Sequence, residues 1–224
     1  MKKNLILTIA GMLAIQISMA QTQKGAQTLG GYLSYSRSTV DDSAFDYYSN
    51  QMGRQKSTNS NFQIGPSYGY FVANELEIKG SLQYSRATNK IAYDNVFTNG
   101  GSDQTSNTFG GQLSLLKYFM YGKLGLRTGP YLGYSHGVSK LTQEGSAVTT
   151  TTNSNSYNGG LRAELVYYPS KSLGFAATLA NLGYSKTKSR NPSDWRQNGS
   201  NEYFNTTFIS NGLGLSVFYV FGSK

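Results

Sequence analysis

The chain has 224 residues, a formal net charge of +9, no Cys, and 14% charged residues beside 18 Tyr, 11 Phe and 26 Gly. The missing Cys excludes disulfides, thiolate metal sites, thiol chemistry and a lipid-modified N-terminal Cys. A charged fraction well below the roughly 25% of soluble domains, with no long apolar run after the first twenty residues, argues against an ordinary globular domain and against a helical membrane protein.

Residues 1–20 read as a secretory signal peptide. Lys2 and Lys3 form a basic start, Leu5 to Ile15 is an apolar run too short to span a bilayer, and Ser18, Met19 and Ala20 form a small-x-small site with cleavage expected after Ala20. The remaining 204 residues (224 minus 20) suffice for one domain, residues 21–224, and its formal charge is +7 (9 minus Lys2 and Lys3).

From there the chain alternates with period two. Strand one runs to Tyr35 with Leu29, Gly31, Leu33 and Tyr35 on one face. Strand two sets Phe62, Ile64, Pro66, Tyr68 and Tyr70 against Gln63, Gly65, Ser67 and Gly69. After a short turn at Ala73 and Asn74, strand three sets Leu76, Ile78, Gly80, Leu82 and Tyr84 against Glu77, Lys79, Ser81 and Gln83. Strand four sets Phe109, Gly111, Leu113 and Leu115 against Gly110, Gln112 and Ser114, and turns at Tyr121 and Gly122. Strand five sets Leu124, Leu126, Thr128, Pro130, Leu132 and Tyr134 against Gly125, Arg127, Gly129, Tyr131 and Gly133. Strand six sets Leu161, Ala163, Leu165 and Tyr167 against Gly160, Arg162 and Glu164, and turns at Pro169 to Lys171. In strand seven, Leu173, Phe175, Ala177 and Leu179 share one parity while Leu182 and Tyr184 take the other, so a bulge is expected near Ala180 and Asn181. Strand eight carries Ile209, Leu213, Leu215, Val217, Tyr219 and Phe221 on its apolar face. Alternation over nine or more residues matches a spanning strand of about 9–11 residues.

The aromatics band at two heights. Tyr70, Phe119, Tyr167 and Tyr219, each within an aromatic doublet, mark one end of the strands, and Tyr35, Tyr84, Tyr134 and Tyr184 mark the other. Amphipathic rings at two levels are the girdles of a membrane barrel, which a secreted β-sandwich does not need. The second set belongs to a repeat at a spacing of 49 or 50 residues, in which Tyr is followed by Ser and then by Arg37, Arg86, His136 or Lys186. The polar stretches after it, 38–60, 87–107, 139–156 and 187–204, are expected to be mobile outer loops, and the short turns and both termini periplasmic.

An even, eight-stranded alternating pattern after a signal peptide resembles the small bacterial outer-membrane β-barrel family, the OmpA/OmpX-like group, over residues 27–221. The end from Leu213 to Phe221 resembles the signal read by the barrel-assembly machinery, although Gly222, Ser223 and Lys224 follow the last aromatic residue. The resemblance implies an all-β, eight-stranded antiparallel transmembrane up-and-down barrel, integral in a Gram-negative outer membrane.

The lumen of such a barrel is just wide enough to be filled by side chains. Glu77, Lys79, Arg127, Arg162 and Glu164 face it and are expected to form a polar network, either as a plug or along a narrow, slightly anion-preferring ion path. Arg37, Arg86, His136 and Lys186, with Lys140, Lys188 and Arg190, are placed above the outer belt, where lipopolysaccharide phosphates lie. A lipid A-modifying enzyme needs a nucleophile sharing a proton with a general base. His136 is the lone histidine, and Ser135 beside it points to the opposite face of the strand. The chain is therefore expected not to be an enzyme and to use no cofactor or metal. Asp41, Asp42 and Asp46 lack the ligand spacing and Gly of a calcium loop. Trp195 in the fourth loop is a candidate anchor for a partner. The function expected is structural or surface interaction, by adhesion or binding of an extracellular ligand through the four outer loops, as a monomer without nucleic acid. An ion-conducting barrel is the alternative.

Overall fold

The computed structural model describes residues 19–46, 51–93, 101–143, 149–192, 198–208 and 215–222. A 3-10 turn, Met19–Thr22, precedes nine strand segments. They are β1 (Gln27–Asp46), β2 (Gln51–Ala73), β3 (Leu76–Tyr93), β4 (Ser102–Tyr121), β5 (Leu124–Gln143), β6 (Thr149–Tyr167), β7 (Leu173–Arg190), β8 (Gly199–Phe208) and β9 (Leu215–Phe221). From β1 to β8 each segment pairs antiparallel with the next, and β9 pairs with both β7 and β1. The ring is thereby closed. The closing ladder runs from Gln27↔Phe221 to Gly31↔Val217. At this seam a Cβ on Gly30 would stand 2.5 Å from the Val217 carbonyl oxygen, so the close approach needs glycine.

Nine segments make eight staves. β8 and β9 lie along the same flank of β7, with Ala180↔Phe208 above and Ala177↔Leu215 below. Residues 209–214, with the expected strand positions Ile209 and Leu213, fall outside the described residues. The other seven strands match the sequence reading in order and parity. Two-residue turns at Asn74-Glu75 and Gly122-Lys123 contain the left-handed residues Glu75 and Gly122, both at φ 62°. The expected bulge in strand seven is present one residue earlier. Thr178 pairs with Glu164 and Ala180 with Ala163, which leaves Leu179 as the extra residue and flips every later side chain.

The distribution of polarity is inverted relative to a water-soluble domain. Outward Leu33, Leu113 and Leu132 are 70%, 66% and 72% exposed, whereas Glu77 and Arg127 are buried inside the ring.

The expected outer loops need correction. The β1–β2 ladder continues to Asp46↔Gln51, β3–β4 to Ile91↔Ser102, β5–β6 to Thr142↔Thr149, and β7–β8 to Ser189↔Gly199. Most of 38–60, 87–107, 139–156 and 187–204 is therefore hydrogen-bonded ribbon. These polar stretches cannot bury apolar surface, but a ladder that extends an existing barrel edge has its register already set and needs only backbone pairing. Hydroxyl pairs add to it, as in Ser106–Ser139 at 2.9 Å and Ser156–Thr187 at 2.7 Å. Amide exchange of Thr150 to Ser156 is expected to be slowed by at least about tenfold over unstructured chain. Exchange at unstructured rates would contradict the ribbon. Asp41 and Asp42 lie on opposite faces of β1, opposite Lys56 and Gln55. Trp195 lies outside the described residues.

Candidate functional site

The lower end of the lumen is closed by two layers. Each aromatic doublet of the sequence splits between them and the outside. Tyr70, Phe119, Tyr167 and Tyr219 point outward and are exposed, while their neighbours Phe71, Tyr118, Tyr168 and Phe218 point inward and are buried. Period-two geometry requires that split, yet the sequence reading placed only the outer rings. Phe71 meets Tyr118 at 5.2 Å between ring centroids, and Tyr168 meets Phe218 edge-on at 5.6 Å. Ala26, Leu116, Val166, Ala176 and Val220 complete this apolar floor. The 3-10 turn crosses beneath it, with Glu75 N–H bonded to the Thr22 carbonyl at 2.7 Å and Gln21 Nε2 donating to the Ser170 carbonyl at 2.6 Å.

The polar network sits on the floor. Arg127, on β5, donates from Nε to Glu164 Oε2 at 2.6 Å and from Nη1 to the Tyr118 hydroxyl at 2.9 Å. Tyr118 in turn donates to Glu77 Oε2 at 2.6 Å, and Thr28 Oγ1 donates to Glu77 Oε1. The guanidinium lies 3.8 Å from Glu77 Oε2 and 5.2 Å from the Phe218 centroid. One cation thus serves two carboxylates. Arg162 stands at the upper edge, 4.0 Å from Glu164 Oε1, with Nη2 donating to Gln112 Oε1 at 3.3 Å and its guanidinium 4.8 Å from the Tyr131 centroid. Lys79 alone of the five expected lumen residues is not bonded into the network. Its Nζ lies 6.0 Å from the Phe218 centroid and forms no hydrogen bond or ion pair among the described residues.

Gly69 makes room for this arrangement. A Cβ there would overlap the Glu77 carboxylate and the Thr28 hydroxyl. Gly69→Ala is expected to cost about 1–3 kcal/mol, as an overpacked core position does. The check is the denaturant midpoint of the folded barrel, and an unchanged midpoint would refute the tight fit.

At the upper end the repeat becomes a cross-strand unit. Each repeated Tyr faces an aromatic residue on the neighbouring strand, in the pairs Tyr35↔Phe62, Tyr84↔Phe109, Tyr134↔Tyr157 and Tyr184↔Phe204. Two residues further out, the basic member faces Ser60, Asn107, Asn155 or Glu202. In three copies the Tyr hydroxyl donates diagonally to that opposing residue: Tyr84 to Asn107 at 3.1 Å, Tyr134 to Asn155 at 2.9 Å and Tyr184 to Glu202 at 2.8 Å. His136 Nδ1 lies 2.8 Å from Asn155 Oδ1, and Lys186 Nζ is 2.5 Å from Glu202 Oε1. The partners Phe62, Phe109, Tyr157 and Phe204 were not recognised as a belt from the sequence. Only register identifies them, because hairpin length differs from copy to copy.

The arrangement is a cup: a sealed base, a polar lumen above it, and two outward aromatic rings on the wall. No family model matches the chain, and no curated protein matches it. Among solved structures it is similar to the attachment invasion locus protein Ail of Yersinia pestis, at 14% identity and TM-score 0.40, over 89% of this chain and 100% of that one. It is also similar to the outer membrane protein OprG of Pseudomonas aeruginosa, at 14% identity and TM-score 0.45, over 91% and 99%. A major outer membrane protein of Thermus thermophilus is similar at 13% identity and TM-score 0.41, over 88% and 99%.

Proposed function

We propose that this protein is an integral outer-membrane barrel whose role is to hold four rigid β-ribbons at the cell surface for interaction. The observation that carries the reading is the exposed apolar wall between two aromatic rings. Phe109 to Phe119 and Tyr157 to Tyr167 are each ten residue steps apart. At ~3.4 Å per residue and a tilt of about 40°, that is ~25 Å along the barrel axis, the height of an outer-membrane apolar band. Water would be a poor solvent for such a wall.

The sealed floor favours an anchor over a channel, because Arg127, Tyr118, Phe71, Tyr168 and Phe218 occupy the cross-section. Planar-bilayer recordings of the folded protein are expected to show no steady conductance. Stable open steps from the wild-type barrel would overturn the sealed floor and revive the ion-path reading.

Arg37, Arg86, Lys140, Lys186, Lys188 and Arg190 rise above the upper ring on the outward face, at the level of lipopolysaccharide phosphates. Purified lipopolysaccharide is expected to raise the temperature at which the folded gel band is lost, and Arg37→Glu with Arg86→Glu to reduce that rise. Binding through the ribbons is tested by replacing residues 87–107 with a two-residue turn. A folded barrel that has lost surface binding supports the reading, and full retention by each such deletion sinks it.

A further inference from the structure

Above the floor lies a cavity of about 570 Å³, lined by Lys79, Ser81, Gln112, Asn158, Arg162 and Asn181 among others. That volume falls within the ~300–1,000 Å³ of small-molecule pockets. It is closed below by the buried layer of Glu77, Arg127 and Glu164. Upward, the inward residues Ser36, Gln83 and Ala87 are exposed, so the cavity opens at the ribbon end. We propose that this cavity binds a small hydroxylated anion, a sugar acid in class, with its carboxylate on Lys79 and Arg162 and its hydroxyls on Asn158 and Asn181.

Two imbalances point to that chemistry. The first is charge. The lumen holds Lys79, Arg127 and Arg162 against Glu77 and Glu164, and both carboxylates are engaged by Arg127 and the hydroxyls of Thr28, Tyr118 and Thr178. Lys79 is left with a ring and no hydrogen-bond acceptor, facing the cavity with only through-space attraction to Glu77 and Glu164. An anion above the floor supplies the missing acceptor. The second is hydrogen bonding. Asn158 and Asn181 line the cavity, and their Oδ1 atoms take no hydrogen bond, enclosed so that a ligand reaches them only once the amide turns over. Turned to the cavity, such acceptors take hydroxyl donors. Arg162, held by Gln112 and 4.8 Å from the Tyr131 centroid, keeps further donors for a carboxylate beside its 4.0 Å contact with Glu164. Glu164 also lines the cavity, its carboxylate held by Arg127 and Arg162, and the other polar walls include Ser, Thr, Gln and Asn.

The test is titration calorimetry on the full-length barrel folded in detergent micelles, with gluconate, acetate and glucose as probes. Gluconate is expected to bind, and acetate and glucose each at least about tenfold more weakly. Lys79→Gln and Arg162→Gln are expected to weaken gluconate by about tenfold or more, since each removes a charge-assisted bond. No gluconate heat, equal affinity in Lys79→Gln, or glucose binding as tightly as gluconate overturns the proposal. Should a variant fail to fold, acetylation of the wild type decides. Gluconate then slows modification of Lys79 relative to the rim residue Lys90, whereas an unchanged ratio sinks the site. Folding in micelles is scored separately by heat-modifiable migration, so a failed pocket is not confused with a failed barrel.

Discussion

Replacing Arg127 with Met is expected to destabilise the barrel by about 3–5 kcal/mol, the cost of removing one partner from a buried charge pair. The expected size follows from what is left behind. Glu77 and Glu164 would stay buried without the guanidinium between them, and the Tyr118 hydroxyl would lose a donor. Adding Glu77→Gln and Glu164→Gln to Arg127→Met should recover most of the loss, because the carboxamides keep the volume and carry no charge. Lys79→Gln should be near neutral for folding, since Lys79 is not bonded into the network. The measurement is the urea midpoint for refolding in detergent, read as the heat-modifiable gel shift. A wild-type midpoint for Arg127→Met would show that the floor does not hold the barrel.

The second large effect concerns the wall. Leu113→Arg places a cation near mid-height on the outward face, where Leu113 is 66% exposed. In a bilayer this is expected to cost about 2–4 kcal/mol, falling to about 0–1 kcal/mol toward the interface. Val138→Arg, on the same outward parity but above the upper ring beside His136, should change little. In water the contrast would vanish, because an exposed Leu gains nothing from being apolar there. Refolding into lipid vesicles with equal stability for both variants would therefore refute the membrane placement.

Much of the fold was legible from alternation alone. Period two on Leu76 to Tyr84 and Leu124 to Tyr134 identified strands and their faces. The parity break in strand seven identified a bulge within one or two residues of Leu179. Expecting the polar stretches to be loops failed for a physical reason. Composition reports whether a segment can bury apolar surface, whereas Thr149 to Ser156 is held by backbone bonds to a ladder already in place.

The site was legible as a set of residues and not as a set of bonds. Inward parity alone places Glu77, Lys79, Arg127, Arg162 and Glu164 on the lumen side, because side-chain direction in a strand is a property of sequence position. Which cation meets which acid is decided by axial level and by the bulk around each group. Gly69 opens space for Glu77, Tyr118 bridges it to Arg127, and Lys79 is left facing the cavity. The outer repeat divides in the same way. The sequence by itself determined where each Tyr and each basic residue stands, through a constant spacing and a constant parity. Only the tertiary structure decided what faces them, because cross-strand register sums the lengths of two strands and their connection, and one residue of slip would exchange every partner.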